Sequence, residues 1–158
     1  MSQIIVSEYS TFFSQAMEEI SAELLEAKFV EFKSDKEELF AEQKKIDVIV
    51  GMTGDYKGRL LLETSFLTAQ IITQTMNYGP LEEEGELYMY MGEFVNMLAG
   101  RAITYINNLN QDRIVRLTPP AIFAGEDLEI TTPNIEYKNM YFKRNKIQVK
   151  LNIGFEGV

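Results

Sequence analysis

Glu93 and Asn96 stand three residues apart in the stretch GEFVNMLAGRA, residues 92–102. On a helix, that spacing puts a carboxylate and a carboxamide on one side, about 60° apart around the axis. Gly100 follows four residues after Asn96, where alanine would hold a helix better by about 1 kcal/mol. The chain contains no Cys and no His. A thiol nucleophile, a thiolate metal site, a disulfide and an imidazole base are therefore excluded, and so is the commonest ligand of transition metals. Any chemistry runs on carboxylates, amides, hydroxyls, Lys and Arg, or on groups that a partner brings.

The helix carrying these residues is predicted over residues 84–109, the longest in the chain. It opens on the acidic run LEEEGE, and carboxylates suit the positive end of a helix dipole. With Asn96 at angle zero, Leu87, Tyr88, Met91, Phe94, Val95, Leu98, Ala102, Ile106 and Leu109 fall on one broad arc, the expected core side. Opposite it lie Glu93, Asn96 and Gly100, with Met89, Tyr90, Met97 and Asn107 around them. Two Met and a Tyr on a polar face suggest a docking surface, because methionine adapts to irregular partners. Gly100 would admit a partner closely, or would merely allow tight helix packing. On helix statistics alone, an exposed Glu and Asn three apart are ordinary solvated residues.

Other elements must position that helix. A first helix is predicted over residues 7–26, where Phe13, Met17, Ile20 and Leu24 form an apolar stripe. A short strand follows at 29–32, then the charged connection KSDKEELFAEQKK with Leu39 and Phe40, read as a loop or helical turn. Over residues 45–65 the period drops to two. Ile46, Val48 and Val50, then Leu60 and Leu62, alternate on either side of the GDYKG loop, which predicts a β-hairpin. Ser65 is a candidate N-cap for a helix that runs through Tyr78 and stops at Gly79 and Pro80. Strands are predicted at 113–117 and 137–142. In the last strand, Ile147, Val149, Leu151, Ile153 and Phe155 alternate with Gln148, Lys150, Asn152 and Gly154, so one face is expected in the core and one in water.

The fold class predicted is α/β in the α+β sense: a mainly antiparallel sheet with helices packed on it, one domain over residues 1–158. The 158 residues are 46% hydrophobic and 25% charged, ordinary for a globular protein. A net charge of −9 argues against nucleic acid as a partner, since phosphate binding needs a basic footprint. No apolar run reaches membrane-spanning length, and MSQIIVSEYS lacks the basic and apolar regions of a signal peptide. The expected location is cytoplasmic.

GEFVNMLAGRA resembles the signature helix of the CheC/CheX/FliY family of chemotaxis phosphatases. That motif is Glu, two residues, Asn, then 22 residues to a Pro. Here Glu93 and Asn96 fit, residues 97–118 intervene, and Pro119 stands at the expected place. DVIVGMTGDYKGRLLLETS is similar to the family's glycine-punctuated hairpin, and TPPAIFAG, with Gly125, to its stretch after the Pro. A single Glu/Asn helix puts the chain closest to CheX. Two features depart from the family pattern. Met89 stands where Asp or Ser is frequent, and Arg101 where a small or neutral residue is common.

The resemblance implies a phosphatase that hydrolyses the phospho-aspartate of a CheY-like receiver. Asn96 would position the attacking water, and Glu93 would pair with the Lys that receivers carry beside the phosphoryl group. Met89, Tyr90, Met97, Gly100 and Arg101 would meet the receiver. This chain would need no cofactor or metal, because the phosphorylated receiver brings its own Mg²⁺. The resemblance also implies a homodimer paired through sheets, and the last strand was expected to be the edge that needs covering. The rival reading keeps the fold and the docking face but not the catalysis: a module that binds a receiver or a flagellar-switch protein, favoured by Met89. A small-molecule enzyme is the weakest reading, since no phosphate loop or cluster of titratable residues is visible.

Overall fold

The computed structural model describes residues 2–34, 44–109, 111–126, 128–131 and 134–156, with side chains from Val6 onward. Leu39 and Phe40 of the charged connection lie outside the described residues. Three helices, α1 (Ser2–Leu25), α2 (Phe66–Met76) and α3 (Glu84–Leu109), pack on one antiparallel sheet of seven strands. The strands are β1 (Val30–Phe32), β2 (Lys45–Gly54), β3 (Gly58–Ser65), β4 (Val115–Leu117), β5 (Ala121–Gly125), β6 (Glu136–Arg144) and β7 (Ile147–Phe155). Their order is β1-β6-β7-β3-β2, and the outer side of β2 is shared by β4 and β5. The fold class expected from the alternation is the one found.

The alternating positions explain the layering. Ile46, Val48, Val50 and Met52 of β2, Leu60 and Leu62 of β3, and Val149, Leu151, Ile153 and Phe155 of β7 belong to one buried cluster. The helices supply the other half of that cluster: Phe13, Met17 and Ile20 from α1, Ala69 and Ile72 from α2, and most of the inner arc of α3. Each large side chain buried there contributes about 1.5–3 kcal/mol. Ser65 is the N-cap of α2, and its hydroxyl accepts from the Thr68 N–H at 3.1 Å.

Several expectations are corrected. The first helix starts at Ser2, not at residue 7. The second ends at Met76, with Asn77 as C-cap, two residues before Tyr78. Ala121–Gly125, expected only as the stretch after the Pro, is a strand paired with β2. The last strand, β7, is an interior strand, hydrogen-bonded to β6 on one side and β3 on the other. Its second face is not simply wet: Asn152 is buried and its amide donates to Asn139 Oδ1 at 2.8 Å. The edge that was expected to drive dimerisation is therefore already paired. The sheet ends instead at β1 and at the broken β4 and β5 border.

Candidate functional site

That broken border places the Pro. Met52 to Gly54 of β2 pair with β4, and Lys45 to Ile49 pair with β5. Between the two, Pro119 and Pro120 have no N–H to give to a ladder. Thr118 makes the link instead. Its N–H donates to the Gly51 carbonyl at 2.9 Å, and its hydroxyl accepts from the Gly51 N–H at 2.9 Å. The chain leaves the sheet there and passes against α3 at Gly92. A Cβ on Gly92 would lie 3.0 Å from Ile122 Cδ1 and 3.4 Å from Pro120 Cγ. Gly92 thus permits the close approach of Pro120 and Ile122 to α3; Pro119, the residue before Pro120, is exposed.

The inner face of α3 follows its sequence pattern. Leu87, Met91, Phe94, Val95, Leu98, Ala99, Ala102, Ile103 and Ile106 are buried. Leu109, expected inside, is exposed. Tyr88 is half-buried, and its hydroxyl donates to Glu84 at 2.8 Å, which pushes the phenol's pKa up. Buried neighbours on both sides fix the backbone of residues 93–97.

Glu93 and Asn96 are both exposed, and neither has a hydrogen bond or an ion pair among the described residues. At that spacing their Cβ atoms are about 5–6 Å apart. Met89 is 56% exposed and Met97 37%, so large apolar groups flank the polar pair. A Cβ on Gly100 would meet nothing within 4 Å. Helix packing is therefore not the reason for a glycine there. Met89, Glu93, Asn96, Met97 and Gly100 form one accessible strip of α3.

Four other polar residues of α3 make contacts within the chain. Arg101 turns toward α1, where its guanidinium donates twice to Glu23, each at 2.8 Å, and once to Glu19 at 3.3 Å. The Tyr105 hydroxyl also donates to Glu19, at 2.8 Å. These contacts hold both carboxylates below their ordinary range: Glu19 chiefly through Tyr105, Glu23 chiefly through Arg101. They hold the guanidinium firmly protonated, chiefly through Glu23. The Tyr90 hydroxyl donates to Asn77 Oδ1 at 2.7 Å and so ties α3 to the C-cap of α2. Asn107 accepts from the Val115 N–H at 2.9 Å and donates to the Val115 carbonyl at 3.0 Å, pinning β4. The polar face of the helical wheel thus divides into a free strip and a set of braces.

Gly92 was missed by the sequence reading, although it opens the quoted stretch and lies in a helix interior, where glycine is unfavourable. Among the described residues, no three Asp or Glu side chains gather as metal ligands would, and no helix is long and apolar enough to cross a membrane.

Residues 46–143 match the family model described as chemotaxis phosphatase CheX. No match was found among curated proteins. Solved structures with this fold include the CheX–CheY–BeF₃–Mg²⁺ complex from Borrelia burgdorferi, at 19% identity and TM-score 0.79, covering 94% of this chain and 98% of that one. A CheX from Desulfovibrio desulfuricans has 16% identity and TM-score 0.81, covering 94% of this chain and 99% of that one. FliY of Thermotoga maritima is further off, at 17% identity and TM-score 0.67, covering 96% of this chain and 89% of that one. The family match spans well over half of the 158 residues and contains Glu93, Asn96 and Pro119, so the chain belongs to the CheX family of chemotaxis phosphatases.

Proposed function

We propose that residues 1–158 form one CheX-like domain that hydrolyses the phospho-aspartate of a CheY-like response regulator. The observation that carries this reading is the pair Glu93 and Asn96, whose side chains are exposed and, among the described residues, without partners, on a helix whose inner face is buried. A CheX of the same fold has been crystallised with CheY, BeF₃ and Mg²⁺, which supports a receiver as the partner.

The reaction asks little of this chain. Mg²⁺ held by the receiver neutralises charge on the phosphoryl oxygens. Asn96 accepts a hydrogen bond from one water and holds it in line with the P–O bond to the aspartate. The water oxygen bonds to phosphorus, the P–O bond breaks, and its electron pair stays on the aspartate carboxylate. The water's proton leaves with the phosphate or to solvent. Glu93 pairs with the receiver's Lys and fixes the orientation of the complex. Met89, Met97 and Gly100 supply the apolar, low-relief surface around that pair. Tyr90 and Arg101, also expected at the interface, make bracing contacts within the chain.

Phosphate release from phosphorylated receivers, measured against spontaneous decay, tests the reading. Asn96→Ala should keep receiver binding and lose at least ~10²-fold in turnover, the scale of one preorganised polar group. Glu93→Ala should weaken docking as well, by roughly 2 kcal/mol. Full activity in Asn96→Ala would reject the catalytic assignment. The rival, a non-catalytic receiver- or switch-binding module, would then lead; Met89 is its specific support. The same family likeness proposes a cytoplasmic homodimer. With β7 interior, sheet pairing would have to use β1 or the β4 and β5 border, and sedimentation velocity at micromolar concentration checks it.

A further inference from the structure

A second concavity lies where none of the α3 residues reach. It is a cleft of about 490 Å³, between the end of α1, α2 and the turn joining β6 to β7. Leu25, Phe29, Ile71, Ile72 and Ile147 give it apolar walls. Thr75 also lines it, but its hydroxyl already donates to the Ile71 carbonyl at 2.7 Å and offers the cleft no free proton. The volume falls inside the range of small-molecule sites, about 300–1,000 Å³.

Among the described residues, the charged ones lining this cleft are Arg144 and Lys146. Arg144 alternates with Met140 and Phe142, both buried in the core, and so stands on the helix side of the sheet at its end. The pairing of Arg144 with Ile147 leaves Asn145 and Lys146 as a two-residue turn. Asn145 has φ 53°, a left-handed conformation that asparagine tolerates better than most residues. The turn thus holds both cations at the cleft. Among the described residues, neither side chain has an ion pair or a hydrogen bond, a state shared with Lys57, Arg116 and Lys138; what sets this pair apart is its place at an apolar cleft. In a chain of net charge −9, two unpaired cations beside an apolar cleft are a local reversal of sign. Ile71, in the wall, is still 48% exposed.

We propose that this cleft binds a small amphipathic carboxylate, its aliphatic chain between α1 and α2 and its anionic head on Arg144 and Lys146. The apolar walls give affinity without direction, and the two cations select the head group and its end of the cleft. The site is separate from the Glu93 and Asn96 strip and does not rest on the phosphatase reading.

Decanoate, decanol and decyltrimethylammonium, each below its micelle concentration, are titrated calorimetrically into the full chain. Decanoate should bind one per chain, and decanol at least about tenfold more weakly, the scale of one charge-assisted contact. The cationic amphiphile should show no binding. Arg144→Ala with Lys146→Ala should weaken decanoate by about tenfold or more and leave decanol unchanged. Ile71→Glu should abolish both. Circular dichroism of each variant shows that it is folded. Equal affinity for decanoate and decanol, no binding of either, or decanoate binding that survives Ile71→Glu would overturn the proposal. An acidic amphipathic peptide that binds there while decanoate does not would overturn it in favour of a protein partner.

Discussion

Asp47 should make this protein less stable as pH rises through the neutral range. It lies on β2 between Ile46 and Val48, and so on the sheet face away from the helices. Its side chain is fully buried, and among the described residues neither carboxylate oxygen has a hydrogen-bond partner. Glu63 stands directly across on β3, itself 3.8 Å from Lys45, and Lys150 lies opposite Glu63 on β7. Burial, and then the Glu63 charge, push the Asp47 carboxyl up from 3.8 to about 7, against a smaller opposing pull from Lys45 and Lys150. Between those two values the folded chain holds a proton that the unfolded chain has lost, so stability falls as pH rises across that window. About three units at ~1.4 kcal/mol each set a ceiling near 4 kcal/mol, a large share of a typical 5–15 kcal/mol. Asp47→Asn removes the titration and keeps the shape. Urea unfolding of both proteins from pH 4.5 to 8 should give stabilities that converge at the acid end, with the wild type falling behind by up to ~4 kcal/mol at pH 8. Parallel curves across that range would refute the assignment of a raised native pKa.

Gly92 and Gly100 of α3 should behave oppositely. Gly100→Ala meets open space and should stabilise by about 1 kcal/mol, read from urea midpoints. Gly92→Ala pushes a methyl against Ile122 and Pro120; the overpacking, about 1–3 kcal/mol, outweighs the helix gain, and phosphate release should fall as the Pro119 segment shifts. Arg101→Ala severs the link to Glu19 and Glu23 and should lower Tm while leaving receiver affinity near wild type; a large loss of affinity would return Arg101 to the docking face. Met97→Glu, at an exposed position, should leave Tm unchanged and weaken receiver binding in a pull-down or calorimetric titration.

Local periodicity made much of this legible. The bounds of α3, the Ser65 cap, the β2 and β3 hairpin and the extent of the β7 strand are properties of neighbouring residues, and each is found where the pattern puts it. What depends on distant pairing was not legible. Nothing within residues 147–155 says that β6 and β3 will flank them, so β7 was read as an edge. Ala121–Gly125 is short, follows two prolines and carries no polar alternation; it becomes a strand because β2 has a free side. A helical wheel correctly placed Glu93, Asn96, Met89 and Met97 on the accessible side. It could not separate them from Arg101 and Tyr90, because what distinguishes those two is the arrival of α1 and of the α2 C-cap beside them.

That separation bears on why the proposed positioning of a water would be placed on a helix. Among the described residues the Asn96 side chain has no partner, so it would lose nothing internal on turning to a water; on the free surface, solvent satisfies it. Its position is nevertheless strongly constrained. Val95 and Phe94 before it and Leu98 and Ala99 after it are all buried without measurable exposure, so residues 93–97 cannot move without opening the core. Arg101 and Tyr105 brace the same helix to α1, and Tyr90 braces it to the end of α2. A carboxamide held this way orients a water with little further ordering at the moment of reaction, which is how positioning lowers a barrier. The same side chain on the loop at Pro119 would have to be ordered by the receiver first, and binding energy would be spent on that ordering instead of on the transition state.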